Sequence, residues 1–366
     1  MSTQDDSKAI PLAFAHEQAP VRLLELPPSL LSLIENSTSR SSAPLLKIKA
    51  PPNPTNNGPN TPSTGPAPFA VLTTATETYN IRSVHSSNSI FILKPVPIPI
   101  IPDQDDVDSD TEMADEPIIT SKPGVIVTST CASHLELLPS KPNTELLLQS
   151  ALTEYKSSET PPIRPSEALS KSQILRNMPV SDAEFHEGWR DVTAFEVDNW
   201  ALRLSPVAAM KIFLDLINLI LGCSDVDKDE MGMNFFMKLV ERDGDFEFPI
   251  EAVRAVIEGA FESRKTEDGS MAYSYATPYT TKWVGKNILL SNPNKSFTER
   301  EFMETWRTKA PDECEKFVDL KLLDGLHTRS VLGVIQYIHG SENESGVAPA
   351  KKKNKWHEKF AAGKKR

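Results

Sequence analysis

The sequence predicts an α+β fold in which a β-rich N-terminal region precedes a row of small helical modules, each closed by strands. Three observations carry the prediction. Between residues 69 and 93, β-branched and aromatic residues recur at alternate positions. After residue 143 the apolar spacing changes to three and four, and Ser/Thr caps stand ahead of the apolar runs. Most of the 30 prolines crowd into the first half, where polar inserts break up the β-rich part.

In chain order, residues 1–20 show no pattern and are expected to be unstructured. Residues 21–26 read as a strand, and Pro27-Pro28 forces a break before the apolar residues 30–34. Residues 45–49 alternate like a strand, and residues 51–68, rich in Pro, Asn, Thr and Gly, make a long surface loop. Strands at 69–74 and 78–82 flank a turn at 75–77, and Ser86-Ser87-Asn88 leads into a third strand at 89–93. Residues 103–116 hold eight acids, an insert expected to be disordered, and strands resume at 125–127 and 134–138. A sheet interrupted in this way forms a partial barrel with open edges, and open edges invite pairing with a second chain. Val71, Leu72, Tyr79, Ile81, Ile90 and Ile92 are the partner-binding candidates in this region, which spans residues 1–142 with inserts at 51–68 and 97–122.

Beyond residue 143 a helix carries Leu146, Leu147, Leu148, Ala151, Leu152 and Tyr155. A Pro161-Pro162 linker leads to a helix at 170–175, and Ser181-x-x-Glu184 caps the next, with Phe185 and Trp189. Residues 194–197 and 200–204 then pair across Asp198-Asn199 as a hairpin. Helices at 206–221, 231–240 and 250–261 follow, with a turn at 266–269 before a strand at 271–275. A helix at 282–290 opens the last stretch, and Thr298-x-x-Glu301 caps a second, in which Phe302 and Trp306 share a face. A third helix starts at Pro311-Asp312 and stops at Gly325, and residues 331–335 form a closing strand. Short helices closed by strands are the outline of a winged helix, placed at 143–205, 206–276 and 277–342, with a basic disordered tail at 343–366. The two capped helices share Ser/Thr-x-x-Glu-Phe-x-Glu-x-Trp, which a good cap followed by an aromatic core pair explains without a homologous repeat.

Chemistry is hard to find. The three cysteines, Cys131, Cys223 and Cys314, have no paired spacing, which fits a reducing compartment and argues against a disulfide framework or a structural zinc site. No phosphate loop and no His-Glu-x-x-His occurs. Asp225-x-Asp227-x-Asp229 is similar to a calcium loop, but Glu230 stands where the turn glycine belongs and Phe236 where the bidentate Glu belongs. No catalytic residue, metal or cofactor is expected, and an enzyme has no constellation to support it. No apolar leader and no run of membrane length is present.

The motifs gain meaning in their order. Residues 21–26, Ala70-Val71-Leu72-Thr73, Thr78-Tyr79-Asn80-Ile81, Ser86-Ser87-Asn88-Ser89 and His134-Leu135-Glu136-Leu137 resemble the N-terminal signature of one family. Ser181-Asp182-Ala183-Glu184 with Trp200-Ala201-Leu202-Arg203, and residues 295–311 and 320–325, resemble its first and last winged helices. The family is the sister chromatid cohesion (defective-in-cohesion) subunit of the alternative, cohesion-specific clamp loader. The resemblance implies a β region that co-folds into a shared barrel with the large ATPase subunit and the small third subunit, then three tandem winged helices. It implies a non-catalytic nuclear adaptor that helps load the sliding clamp PCNA in DNA replication. It also implies docking on the DNA polymerase epsilon catalytic subunit and contact with single- or double-stranded DNA. The loop at 51–68, the acidic run, the ending Gln336-Tyr337-Ile338-His339 and the Lys-rich tail depart from the family pattern. The alternative is a winged-helix transcription or chromatin subunit reading duplex DNA directly, which a recognition helix rich in Arg and Asn would favour.

Charge divides the modules. Residues 166–205 hold seven acids and four bases, and 206–276 hold fourteen and seven, neither an electrostatic footprint for phosphates. Glu184 and Glu187 in the first module are the polymerase-facing candidates. Residues 280–340 hold nine bases and eight acids, and Lys282, Lys286, Arg300 and Arg307 are the DNA-binding candidates there. Residues 351–366 hold eight bases and one Glu within a chain of net charge -11. Lys351, Lys352, Lys353, Lys355, Lys364, Lys365 and Arg366, with Trp356 and Phe360 among them, read both as a DNA contact and as a nuclear-import signal.

Overall fold

The structure is a computed structural model that describes residues 10–38, 44–50, 70–99, 121–157, 160–223, 231–244, 246–330 and 333–338. The chain divides into two compact units, residues 1–142 with 177–181, and residues 143–176 with 182–366.

The first unit is a mixed sheet curled into a half-barrel. Its elements are β1 (Leu12–Phe14), β2 (Leu23–Glu25), α1 (Pro28–Thr38), β3 (Lys47–Lys49), β4 (Val71–Thr73), β5 (Thr78–Pro99) and β6 (Ser121–Ser140). The strand order is β1-β6-β5-β4-β3, with β2 also on β6, and both β1 and β2 run parallel to β6. Residues 1–20 were expected to be unstructured, yet Leu12–Phe14 pairs with Val125, Ile126 and Val127. Three residues carry too little pattern to announce a strand, and the long edge of β6 supplies the backbone partners.

The predicted strands at 78–82 and 89–93 are one strand, as are those at 125–127 and 134–138. The register passes from His85↔Ser133 to Ile90↔Cys131, so residues 86–89 bulge opposite Ala132 and do not turn. Ser-Ser-Asn has turn chemistry, but the flanking residues on both sides pair with the same strand, so the chain continues. Leu30 of α1 closes a small core with Leu72, Tyr79 and Leu137. The Tyr79 hydroxyl donates to Glu77 Oε2 at 2.5 Å, and burial together with that carboxylate pushes the phenol above its ordinary value. Within this unit, buried Lys49 Nζ donates to Val180 O at 2.7 Å, and Ser181 N donates to Thr78 Oγ1 at 2.8 Å.

In the second unit one order of elements occurs three times. The first set is α2 (Thr144–Ala151), β7 (Thr153–Tyr155), α3 (Lys171–Asn177), α4 (Asp182–Asp191), β8 (Ala194–Val197) and β9 (Trp200–Leu204). The second is α5 (Pro206–Leu221), β10 (Met231–Gly232), α6 (Met233–Asp243), α7 (Ile250–Ala260), β11 (Glu262–Lys265) and β12 (Met271–Ser274). The third is α8 (Pro278–Ser291), β13 (Phe297–Thr298), α9 (Glu299–Lys309), the 3-10 turns Asp312–Phe317 and Leu320–Leu323, β14 (His327–Arg329) and β15 (Val334–Tyr337). In each set the first strand pairs with the last, which also pairs with the second: β7-β9-β8, β10-β12-β11 and β13-β15-β14. The β7–β9 pairing is parallel, and its counterparts are antiparallel.

Local chemistry explains the boundaries. Asn143, Ser205, Thr277 and Thr298 each accept a free amide of the helix that follows, and Pro206 and Pro278 occupy first-turn positions where a missing N–H does no harm. Asp198 and Asn199 have φ of 50° and 60°, the left-handed pair that a two-residue hairpin needs. Two expectations are corrected. The helix from residue 144 stops at Ala151, and Tyr155 is buried on β7. The predicted third helix after Pro311 is the pair of 3-10 turns, ended by Gly325 at φ 84°. The closing strand begins at Val334, after Gly333 at φ 71°, and Val331 and Leu332 lie outside the described residues. The loop at 51–68, the acidic run, the Asp225 loop and the tail lie outside them as well.

The shared cap pattern falls on α4, the third helix of its set, and on α9, the second of its own. The resemblance of those two helices is thus not a repeat. One apolar cluster extends from Tyr155 to Ile335, with Phe213, Phe261, Trp283 and Trp306 inside it; the first set joins it through Tyr155, Phe195, Leu202 and Leu204, while Phe185 and Trp189 of α4 are buried outside it.

Candidate interaction surface

In the first unit the sheet leaves apolar side chains uncovered. Phe14 and Phe91 are 57% and 47% exposed and meet edge-to-face at 5.9 Å. Leu93, two residues beyond Phe91 and so on the same face, is equally open, as is Leu12 on β1. Aromatic and aliphatic side chains grouped in this way on a solvent face mark an interaction site more often than a random surface. Of the predicted partner contacts, Val71, Leu72 and Tyr79 are buried in the unit itself, Ile81 and Ile92 are half-buried, and Ile90 is exposed. The residues that sequence reasoning missed are Phe14, Phe91 and Leu93. Phe91 and Leu93 lay inside a recognised strand, and only the register shows which face they share.

The outer edge of β5 is also open. Among the described residues β4 covers only Thr78, Tyr79 and Asn80 of it. Val125 N donates to Pro11 O and Val127 O accepts from Ala15 N, so odd residues of this stretch of β6 turn their backbone groups toward β1. Ile126 turns to β5, where it faces Lys94, and the neighbouring Leu93 and Pro95 turn outward. The outward positions thus present N–H groups at Phe91 and Leu93, but none at Pro95 and Pro97. A strand added from outside finds donors up to Leu93 and a blocked edge beyond it.

In the second unit the charged candidates converge. Glu187, Lys282 and Lys286 line one cleft of roughly 410 Å3 together with Glu145, Arg190, Asp191 and Asp324. Lys286 Nζ donates to Glu145 Oε2 at 2.9 Å, and both side chains are largely buried. Asp191 has an open surface yet is crowded by protein, and the resulting desolvation raises its carboxyl above the ordinary range. Four acids against three bases give this cleft no excess of positive charge for phosphates. Arg300 and Arg307, two turns apart, are exposed on α9 opposite the buried Phe302 and Trp306. Glu184 is half-buried on α4. The basic tail candidates lie outside the described residues.

Among the described residues no helix is long and apolar enough to cross a membrane. A comparison with curated proteins finds no match. The family model of the sister chromatid cohesion protein Dcc1 matches residues 21–342, the span that holds the half-barrel except β1 and all three repeated sets of elements. The chain belongs to the Dcc1 family and so to the proteins of sister chromatid cohesion.

Proposed function

We propose that the chain is a non-catalytic adaptor subunit of the alternative clamp loader that serves cohesion. In this reading the half-barrel is completed by segments of the large ATPase subunit and the small third subunit. The three repeated sets are winged helices, and the protein acts in the nucleus beside the sliding clamp. The observation that carries the reading is the exposed Phe14–Phe91–Leu93 face beside the open, proline-limited edge of β5. A face and an edge left open together fit addition of strands from another chain.

Charge supports protein contact over direct reading of DNA. The third helix of each winged helix is the one that would enter a groove. Here α4 carries Asp182, Glu184, Glu187 and Asp191, α7 carries Glu251 and Glu258, and the first 3-10 turn carries Asp312, Glu313 and Glu315. Such helices repel phosphates. A transcription or chromatin subunit has correspondingly less support, and the polymerase epsilon catalytic subunit is the proposed partner of the first module. DNA contact is assigned to Arg300, Arg307 and the basic tail.

The test is co-expression of the full chain with the two loader subunits. The double variant Phe91→Asp, Leu93→Asp should lose the complex at a small cost in melting temperature, because about half of each side chain is already in water and only the Phe14–Phe91 ring contact is lost. Assembly at wild-type yield would remove this face from the interface.

A further inference from the structure

β2 reaches β6 through three residue pairs, Leu23↔His134, Leu24↔Leu135 and Glu25↔Glu136. Glu25 stands directly opposite Glu136, and like charges so placed across a strand pair are unfavourable. Arg82, opposite Glu136 on the other side, answers only one of the two: its Nη2 lies 2.5 Å from Glu136 Oε2. The second oxygen, Glu136 Oε1, is turned to His134 Nε2 at 3.6 Å, and Glu25 Oε2 lies 3.6 Å from the same nitrogen. These distances are too long for hydrogen bonds, which fall at about 2.7–3.2 Å. They are close to the ~3.4 Å between atoms placed tetrahedrally around zinc with bonds of about 2.0–2.1 Å. All three atoms lie within 4.8 Å of one another.

We infer that Glu25, His134 and Glu136 form a binding site for a divalent transition-metal ion, zinc by donor type, that clasps β2 to β6. One imidazole nitrogen and two carboxylate oxygens are donors that zinc accepts, and three protein ligands leave the fourth position to water. The ion places positive charge between the two opposed carboxylates. Arg82 holds the outer oxygen of Glu136 and orients the carboxylate, as supporting contacts do around metal ligands. His134 Nδ1 is buried with no partner among the described residues, so the acceptor that strengthens many zinc histidines is missing, and binding is of moderate strength. The ligands come from residues 25, 134 and 136, which only the strand register joins.

The experiment uses the full-length chain, stripped of metal by a chelator and titrated with zinc by calorimetry near neutral pH. The wild type should take up an ion that His134→Ala does not, and zinc should raise the melting temperature of the wild type alone. Glu25→Gln changes a side chain already 67% exposed, so it keeps the fold and tests the site if His134→Ala unfolds. It should weaken binding roughly tenfold or more, and Arg82→Ala, which touches no metal, about tenfold. Equal zinc binding by wild type and Glu25→Gln would overturn the site, as would no binding at all. Stability that ignores zinc would overturn it too.

Discussion

Lys286, a candidate nucleic-acid contact, already has a protein partner. Its ammonium is held by Glu145 inside the second unit, so Lys286→Met leaves a desolvated carboxylate near Asp191. Chemical denaturation should show a loss of about 1–3 kcal/mol, with the salt dependence of DNA binding unchanged. A phosphate contact would behave the other way round, lowering the salt slope by about 1 at constant stability. At the tip of the β11–β12 hairpin, Asp268 accepts from the Thr266 hydroxyl and from the amide and hydroxyl of Ser270. These bonds, the Thr266 hydroxyl first, hold its carboxyl down to about 2. A depressed carboxyl favours the fold above its ordinary value of 3.8 and loses that contribution as pH falls through about 2. The Ser270 amide resonance should therefore titrate near the lower value, and a midpoint near 4 would mean that the turn is not closed by Asp268.

At the scale of elements, α8 is the helix most constrained by its neighbours. A methyl group on Gly285 would lie 2.6 Å from Trp306 Cε2 and Cζ2 and 3.0 Å from Leu323 Cδ1. Alanine gains about 1 kcal/mol in helix propensity, yet the collision with a buried indole, pinned by its bond to Thr281 O, is the larger effect. Gly285→Ala should destabilise the protein by roughly 1–3 kcal/mol net, as measured by denaturant midpoint. Sequence reasoning handled such elements unevenly. The helix at 206–221 and the hairpin at Asp198-Asn199 were legible because cap, periodicity and left-handed turn residues agree locally. β5 was not, because its Ser-Ser-Asn bulge has the chemistry of a turn and only pairing with β6 keeps the strand going. The 3-10 turns after Pro311 were read as one α-helix because apolar spacing alone does not separate the two.

For the whole molecule, the continuous cluster from Tyr155 to Ile335 means that the three repeated sets share a core. Melting should therefore be cooperative across them. Trp189, Trp200, Trp283 and Trp306 lie in the second unit and the first unit holds no tryptophan, so with the tail's Trp356 replaced by Phe, tryptophan fluorescence reports on that unit. One transition is expected. Separate transitions for variants destabilised in β9 and in α9, at Leu202 and at Phe302, would show that the sets fold independently.

The residues alone were enough to read an α+β chain with a β-rich start, three helical modules and membership in a cohesion family. Those features rest on periodicity, caps and motif order, which are local or sequential. Tertiary structure decided which apolar residues are spent on the protein's own core. Val71, Leu72 and Tyr79 are buried there, while Phe14, Phe91 and Leu93 remain outside. It also decided that Lys286 is paired with a glutamate 141 positions away, and that Glu25 meets His134 and Glu136. Such encounters depend on strand register and helix packing, and a one-residue slip of register would turn every side chain of the strand to the opposite face.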